Sequence, residues 1–117
     1  MAKLSTHVLD TMNGRPAAGM TIEFLALEPA GPRLLGTFTT NADGRTDRQL
    51  LDAATYRPGR YELRFDVATY FRATGLQLPD PPFLDVVRID FGLAEADGSY
   101  HVPLLVSPWS YSTYRGS

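Results

Sequence analysis

Two histidines stand in the chain of 117 residues, His7 and His101. A free imidazole titrates near ~6.5, so histidine is the usual general base at neutral pH. In Thr6-His7-Val8-Leu9-Asp10, strand alternation puts His7 on one face with Leu9. In Tyr100-His101-Val102-Pro103-Leu104-Leu105-Val106, it puts Tyr100, Val102, Leu104 and Val106 on a natural core face and His101, Pro103 and Leu105 on the other. That second face is unusually apolar for one turned to solvent, which implies that another subunit covers it. Arg45 follows the Asp43-Gly44 turn, where its rigid fork of donors could clamp an anion or a carbonyl. Taken singly, each histidine reads more readily as a hydrogen-bonded structural residue and Arg45 as a solvated side chain.

The elements that must position these groups are mostly strands. Turn signals recur at Asn13-Gly14, Pro29-Ala30-Gly31-Pro32, Asn41-Ala42-Asp43-Gly44, Pro58-Gly59, Pro79-Asp80-Pro81-Pro82 and Asp97-Gly98. Asn-Gly and Asp-Gly tolerate the positive φ that tight hairpins require, and such regular spacing predicts an all-β sandwich or barrel. Met20–Phe24 alternates apolar and polar, and in Arg60–Asp66 the alternation places Tyr61, Leu63 and Phe65 together. Val86–Phe91 groups Val87, Ile89 and Phe91, and Leu34–Thr40 is β-rich but less regular. The segment from Asp66 to Gly75 breaks the pattern. It predicts one short helix with Asp66 as N-cap and Gly75 as C-cap, and with Val67, Tyr70, Phe71 and Thr74 on one face.

Composition narrows the function classes. The length fits a single domain, residues 1–117, with 44% hydrophobic residues and enough chain to bury a core. No cysteine is present, so disulfides and thiolate metal sites are excluded. The net charge is -2, and the 11 cations (ten Arg, one Lys) are dispersed, which does not suggest nucleic acid. No apolar stretch has the length of a signal core or a membrane span, so the expected location is the cytoplasm. Two histidines without cysteine or a His-Glu-x-x-His spacing make no case for a metal, and there is neither a phosphate loop nor a Gly-x-Ser-x-Gly elbow. The final segment, Pro108-Trp109-Ser110-Tyr111-Ser112-Thr113-Tyr114-Arg115-Gly116-Ser117, is too aromatic for a frayed terminus and predicts a last strand. The residues alone thus lead to an oligomeric β-sandwich with a candidate His/Arg site at an interface.

Three blocks carry a family resemblance. They are Leu4-Ser5-Thr6-His7-Val8-Leu9-Asp10-Thr11 continuing through Gly14-Arg15-Pro16-Ala17 to Met20, then Thr40-Asn41-Ala42-Asp43-Gly44-Arg45, and finally His101–Pro108 running into Ser110–Ser117. The chain resembles the 5-hydroxyisourate hydrolases, the transthyretin-related proteins, over essentially its whole length, and the closing Tyr-Arg-Gly-Ser is their hallmark. The resemblance implies a transthyretin-like two-sheet β-sandwich with one short helix. It implies hydrolysis of 5-hydroxyisourate to 2-oxo-4-hydroxy-4-carboxy-5-ureidoimidazoline in urate breakdown, by water attacking a ring carbonyl with opening of the N1–C6 bond. It implies His7, Arg45, His101 and Ser117 as catalytic residues, and His7, Arg45, Tyr114, Arg115 and Gly116 as substrate-binding ones, with no cofactor. It also implies a homotetramer, a dimer of dimers with its sites between the dimers. One departure is Pro82-Phe83-Leu84-Asp85, where many members have an aromatic-aromatic-Pro-Glu run. The alternative in the same fold is a non-catalytic transthyretin-like small-molecule binding or transport protein. A structural module of a larger protein is a third reading.

Overall fold

The computed structural model describes residues 2–116, so the roles expected of Ser117 lie outside the described residues. In chain order the elements are β1 (Lys3–Asp10), β2 (Arg15–Pro16), β3 (Thr21–Glu28), β4 (Gly31–Thr39), β5 (Gly59–Asp66), α1 (Val67–Ala73), β6 (Val86–Leu93), β7 (Ser99–Val106) and β8 (Tyr111–Thr113). They form two four-stranded sheets, ordered β2-β1-β7-β8 and β4-β3-β5-β6. This is the two-sheet sandwich with one short helix that the sequence predicts.

Alternation dictates what each strand buries. In β1, Leu4, Thr6, Val8 and Asp10 are buried while Lys3, Ser5, His7 and Leu9 are half-buried on the other face. In β5, Tyr61, Leu63 and Phe65 turn inward, and in β7 Tyr100, Val102, Leu104 and Val106 do the same. Tyr61 stacks between Phe24 and Phe91 at ring distances of 5.4 and 6.2 Å, and its hydroxyl donates to the Arg57 carbonyl at 2.7 Å. Each fully buried Leu or Phe contributes about 1.5–3 kcal/mol. Of the glycines in the expected turns, Gly98 alone lacks a positive φ. It is required instead for space, since a Cβ there would lie 2.4 Å from the Tyr100 ring.

Two pairings matter most for function. β1 and β7 run parallel, with Ser5 opposite His101 and His7 opposite Pro103. The irregular segment between β4 and β5 lies along the other edge of β1. There Leu4 N–H donates to Leu51 O at 2.9 Å, Leu50 N–H donates to Leu4 O at 2.9 Å, and His7 bridges Arg45.

The helix differs from expectation at its start. Asp66 makes no side-chain cap; the carbonyl of Asp85 accepts from the N–H groups of Val67 and Ala68, both at 3.1 Å. The Pro82–Asp85 run that departs from the family pattern therefore supplies the cap through its backbone. At the other end Gly75 has φ +95°, with Gly75 N–H donating to Arg72 O and Leu76 N–H to Phe71 O, a Schellman arrangement. Val67, Ala68, Tyr70 and Phe71 are buried, whereas Thr74 is exposed.

Tyr70 ties the helix to β1 by donating to the Asp10 carboxylate at 2.7 Å. The same carboxylate accepts from Asn13 N–H at 2.9 Å and Asn13 Nδ2 at 2.7 Å. Burial pushes the Asp10 pKa up, but the bonds from Asn13 and Tyr70 outweigh it and leave the group below its ordinary value. Tyr70 is pushed up to about 12, first by burial and then by its bond to Asp10. A carboxyl depressed in the folded state stabilises the fold above its unfolded pKa, and that contribution is lost as pH falls through the folded value. Asp10→Ala is therefore expected to cost about 1–3 kcal/mol at pH 7, leaving the Tyr70 hydroxyl and Asn13 N–H without a partner. In urea titrations at a series of pH values, the gap between wild type and variant should narrow as pH drops below ~3.9.

Candidate active site

The outer face of the first sheet collects the candidate groups from three separate parts of the chain. Parallel register sets Ser5 directly across from His101, and the serine Oγ lies 2.9 Å from His101 Nδ1. One turn-forming loop, residues 41–45, then delivers Arg45 beside His7 as an antiparallel bridge. Bridged residues project to the same side of a sheet, so Arg45 joins the face that carries His7. The imidazoles of His7 and His101 are 6.4 Å apart between centroids and inclined by 39°.

The loop is rigidly specified. The Asn41 side-chain oxygen accepts from Asp43 N–H at 2.9 Å and from Arg45 N–H at 3.1 Å, while Asn41 N–H donates to Arg45 O at 2.8 Å. Gly44 has φ +75°, and a Cβ there would sit 2.3 Å from the Val8 carbonyl oxygen. Only glycine permits that approach, which lets Val8 N–H donate to Gly44 O at 2.8 Å. With the loop seated, the Asp43 carbonyl accepts from His7 Nε2 at 2.8 Å. A carbonyl can only accept, so Nε2 carries the proton and Nδ1 of neutral His7 is the free acceptor.

Burial and neighbouring basic groups favour the uncharged form of His101. Burial lowers its pKa first, and the nearby basic groups Arg45, His7 and Lys3 lower it further. A neutral imidazole can take a proton at its acceptor nitrogen, and the contact between Nδ1 and the Ser5 hydroxyl leaves Nε2 as the nitrogen turned away from that partner. From the opposite side the tail fixes the backbone: Gly116 N–H donates to His101 O at 2.7 Å and His101 N–H to Gly116 O at 3.1 Å. A Cβ at Gly116 would lie 3.0 Å from His101 Cβ and 3.2 Å from its ring, so the tail seats closely against His101 and a side chain there would require the ring to give by a few tenths of an ångström.

His7, Arg45, His101 and Gly116 thus come together within the chain, whereas Tyr114 and Arg115 do not join them. The Arg115 guanidinium lies 4.3 Å over the Tyr100 ring, on the core-facing side of β7, and 3.7 Å from Glu95. With Tyr114 it borders a hollow of about 240 Å³ against β6. A hollow of about 850 Å³ lies among Arg33, Arg48, Arg57, Arg60 and neighbouring acids, and is not lined by the imidazoles. On the histidine face, Ser5, His7 and His101 are half-buried. Among the described residues, no three of His, Cys, Asp and Glu converge to hold a metal.

Ser5, Asn41 and the Asp43 carbonyl are parts of this site that sequence reasoning did not single out. Ser5 shares the face of His7 by simple alternation, but only the β1–β7 register assigns it to His101.

The HIUase/transthyretin family model matches residues 4–116. The chain belongs to that family. A similar relative is "5-hydroxyisourate hydrolase 2" of Rhizobium meliloti (strain 1021), 53% identical over 115 residues, covering 98% of this chain and 96% of the relative. Among solved structures, the 5-hydroxyisourate hydrolase of Klebsiella pneumoniae superposes with a TM-score of 0.81 at 35% identity, covering all of both chains. An (S)-allantoin synthase superposes with a TM-score of 0.93 at 45% identity over 99% of this chain, which spans 44% of that longer protein.

Within this HIUase/transthyretin sandwich, Gly44 is the point at which the loop seats against β1. Gly44→Ala is expected to lose more than ~1 kcal/mol of stability, because the left-handed φ and the Val8 carbonyl both oppose a side chain. Proton–nitrogen NMR of the imidazoles should show the His7 Nε2–H signal move as the Asp43 carbonyl is displaced. An unshifted signal and unchanged stability would contradict this role for the loop.

Proposed function

We propose that this chain hydrolyses 5-hydroxyisourate to 2-oxo-4-hydroxy-4-carboxy-5-ureidoimidazoline, the ring-opening step that follows urate oxidation. The observation that carries the reading is the gathering of His7, Arg45 and His101 on one sheet face, in a chain 53% identical to a 5-hydroxyisourate hydrolase over nearly its full length. His101 is the general base, because it is held neutral and its Nε2 is free. It takes a proton from water while the water oxygen bonds to the C6 carbonyl carbon. Arg45 holds the carbonyl oxygen and stabilises the oxyanion. The C6–N1 bond then breaks with N1 as the leaving group, N1 takes the proton back from His101, and C6 stays on the ring as a carboxylic acid that ionises to the carboxylate by giving its proton to solvent. His7 orients the substrate through Nδ1. Gly116 contributes to substrate binding through the backbone it places beside His101, and Ser117 completes the catalytic set.

The assembly is part of the proposal. A flat, half-buried face excludes water poorly, and a second copy laid over it would make the enclosed channel that such chemistry needs. We place the sites between the dimers of a homotetramer, and the substrate-binding roles of Tyr114 and Arg115 require that neighbouring surface, since in one protomer they stand apart from the imidazoles. Residues 1–117 act as one domain, in the cytoplasm. A transport protein in the same fold would need neither the neutral base nor the Arg45 bridge.

The direct test follows absorbance of freshly generated 5-hydroxyisourate against its spontaneous decay. His7→Ala, Arg45→Ala and His101→Ala should each lower kcat/KM by about 10²-fold or more, with circular dichroism unchanged. Activity should fall on the acid side through a pKa below the ~6.5 of free histidine, since protonated His101 cannot act as base. Undiminished turnover in both histidine variants would overturn the assignment.

Assembly is tested separately. Light scattering should give about 52 kDa, four times the 12.9 kDa chain, and Leu105→Arg should dissociate the assembly and abolish turnover together. A fully active monomer would refute the shared site.

A further inference from the structure

We propose that Ser5 is the positioning residue of the base: its hydroxyl accepts a hydrogen bond from Nδ1–H of His101, which fixes the tautomer whose Nε2 lone pair faces the attacking water. This rests on the hydrolase reading above and extends it to a residue outside the His/Arg set.

Geometry supplies the first support. Ser5 and His101 are register partners in the parallel pair, project to the same face, and meet at 2.9 Å between Oγ and Nδ1. The His101 ring is the hydrogen-bond partner of this hydroxyl among the described residues. The His101 backbone is already held from the other side by both hydrogen bonds to Gly116. Tail and serine therefore constrain the same side chain in different ways, one setting the position of Cβ and the other the rotation of the ring.

The chemistry of a hydroxyl supplies the second. Neutral imidazole has one donor and one acceptor nitrogen, and the cation has two donors. A serine oxygen accepts from Nδ1–H in both states, so proton uptake at Nε2 needs no rearrangement of the partner. A carboxylate in the same place would also orient the ring, but it would favour the charged form and raise the pKa. The charged and titratable groups acting on His101 are Lys3 and His7 from β1 and Arg45 from the loop, all basic. Arg115 of the tail is turned to Tyr100 on the other face. Ser5 thus gives orientation without charge, which suits a base that must be unprotonated at neutral pH.

The test compares Ser5→Ala, Ser5→Thr and Ser5→Asp in the full-length protein. Two readouts are used: steady-state rates across pH, and nitrogen NMR of the His101 ring without substrate. Ser5→Ala should lower kcat by at least about 10-fold with little change in KM, as expected for loss of a group that orients a catalytic histidine. Its Nδ1–H population should fall at the same time. Ser5→Thr, which keeps the hydroxyl, should restore both. Ser5→Asp should keep the tautomer but move the acid limb of activity to higher pH. Wild-type kcat together with wild-type ring signals in Ser5→Ala would overturn the proposal while leaving the hydrolase reading intact. Equal loss of rate in Ser5→Ala and Ser5→Thr with an unaltered tautomer would also overturn it, as a packing effect. If the wild type fails to accelerate substrate decay, the hydrolase reading falls and takes the catalytic role of Ser5 with it.

Discussion

Parallel pairing of β1 with β7 is the contact through which the rest of the site is assembled. It joins strands from opposite ends of the sequence, and its register decides which outer-face residues become neighbours: Ser5 with His101 and His7 with Pro103. A slip by one residue would turn every side chain of β1 to the wrong face, burying His7 and exposing Val8. The register is protected because Leu4 and Val8 on β1 and Leu104 and Val106 on β7 are fully buried. Core packing on one face of the sheet thereby sets the chemistry on the other.

The second constraint is electrostatic. Placing Lys3, His7 and Arg45 near a half-buried imidazole disfavours its cation. That repulsion is tolerable only because each group is held by bonds that do not depend on charge. Asn41 and Gly44 fix the Arg45 backbone, the Asp43 carbonyl fixes the His7 ring, and the Gly116 backbone fixes His101. Under the proposed hydrolase function, this would set a proton-accepting base beside a cation that receives the oxyanion, with neutral hydrogen bonds providing the rigidity. Orientation by preformed dipoles is the arrangement expected to favour a transition state in which charge develops on the substrate.

Local physics made much of this legible. Alternation revealed the inward faces of β5 and β7, and turn residues located most strand ends, because both are properties of adjacent residues. The outer-face position of both histidines was legible for the same reason. Their proximity was not, since parallel pairing between chain ends leaves no local mark. The helix cap shows the same limit: Asp66 has the right type at the right place, but Asp85, distant in sequence, supplies a backbone carbonyl instead. Thr74 fits the helical face by spacing yet is exposed, because the helix ends just before it. Arg115 stands in the hallmark tail near Gly116, but one step along a strand reverses the face, and its guanidinium goes to Tyr100.

The β1–β7 contact has a consequence for how the protein comes into being. During synthesis β1 leaves the ribosome long before β7 exists, so the inner face of β1, Leu4 and Val8, waits without its final neighbour. Contacts between distant segments carry a large loop-closure cost and are generally slow to form. The segment containing Gly44 and Leu51, which binds the other edge of β1, is made much earlier and can shelter that strand in the interval. Assembly would then be ordered, with the Arg45 loop and His7 joined first and His101 added last. An incomplete nascent chain would carry His7 and Arg45 without His101, so the two imidazoles would meet only as the final sheet closes.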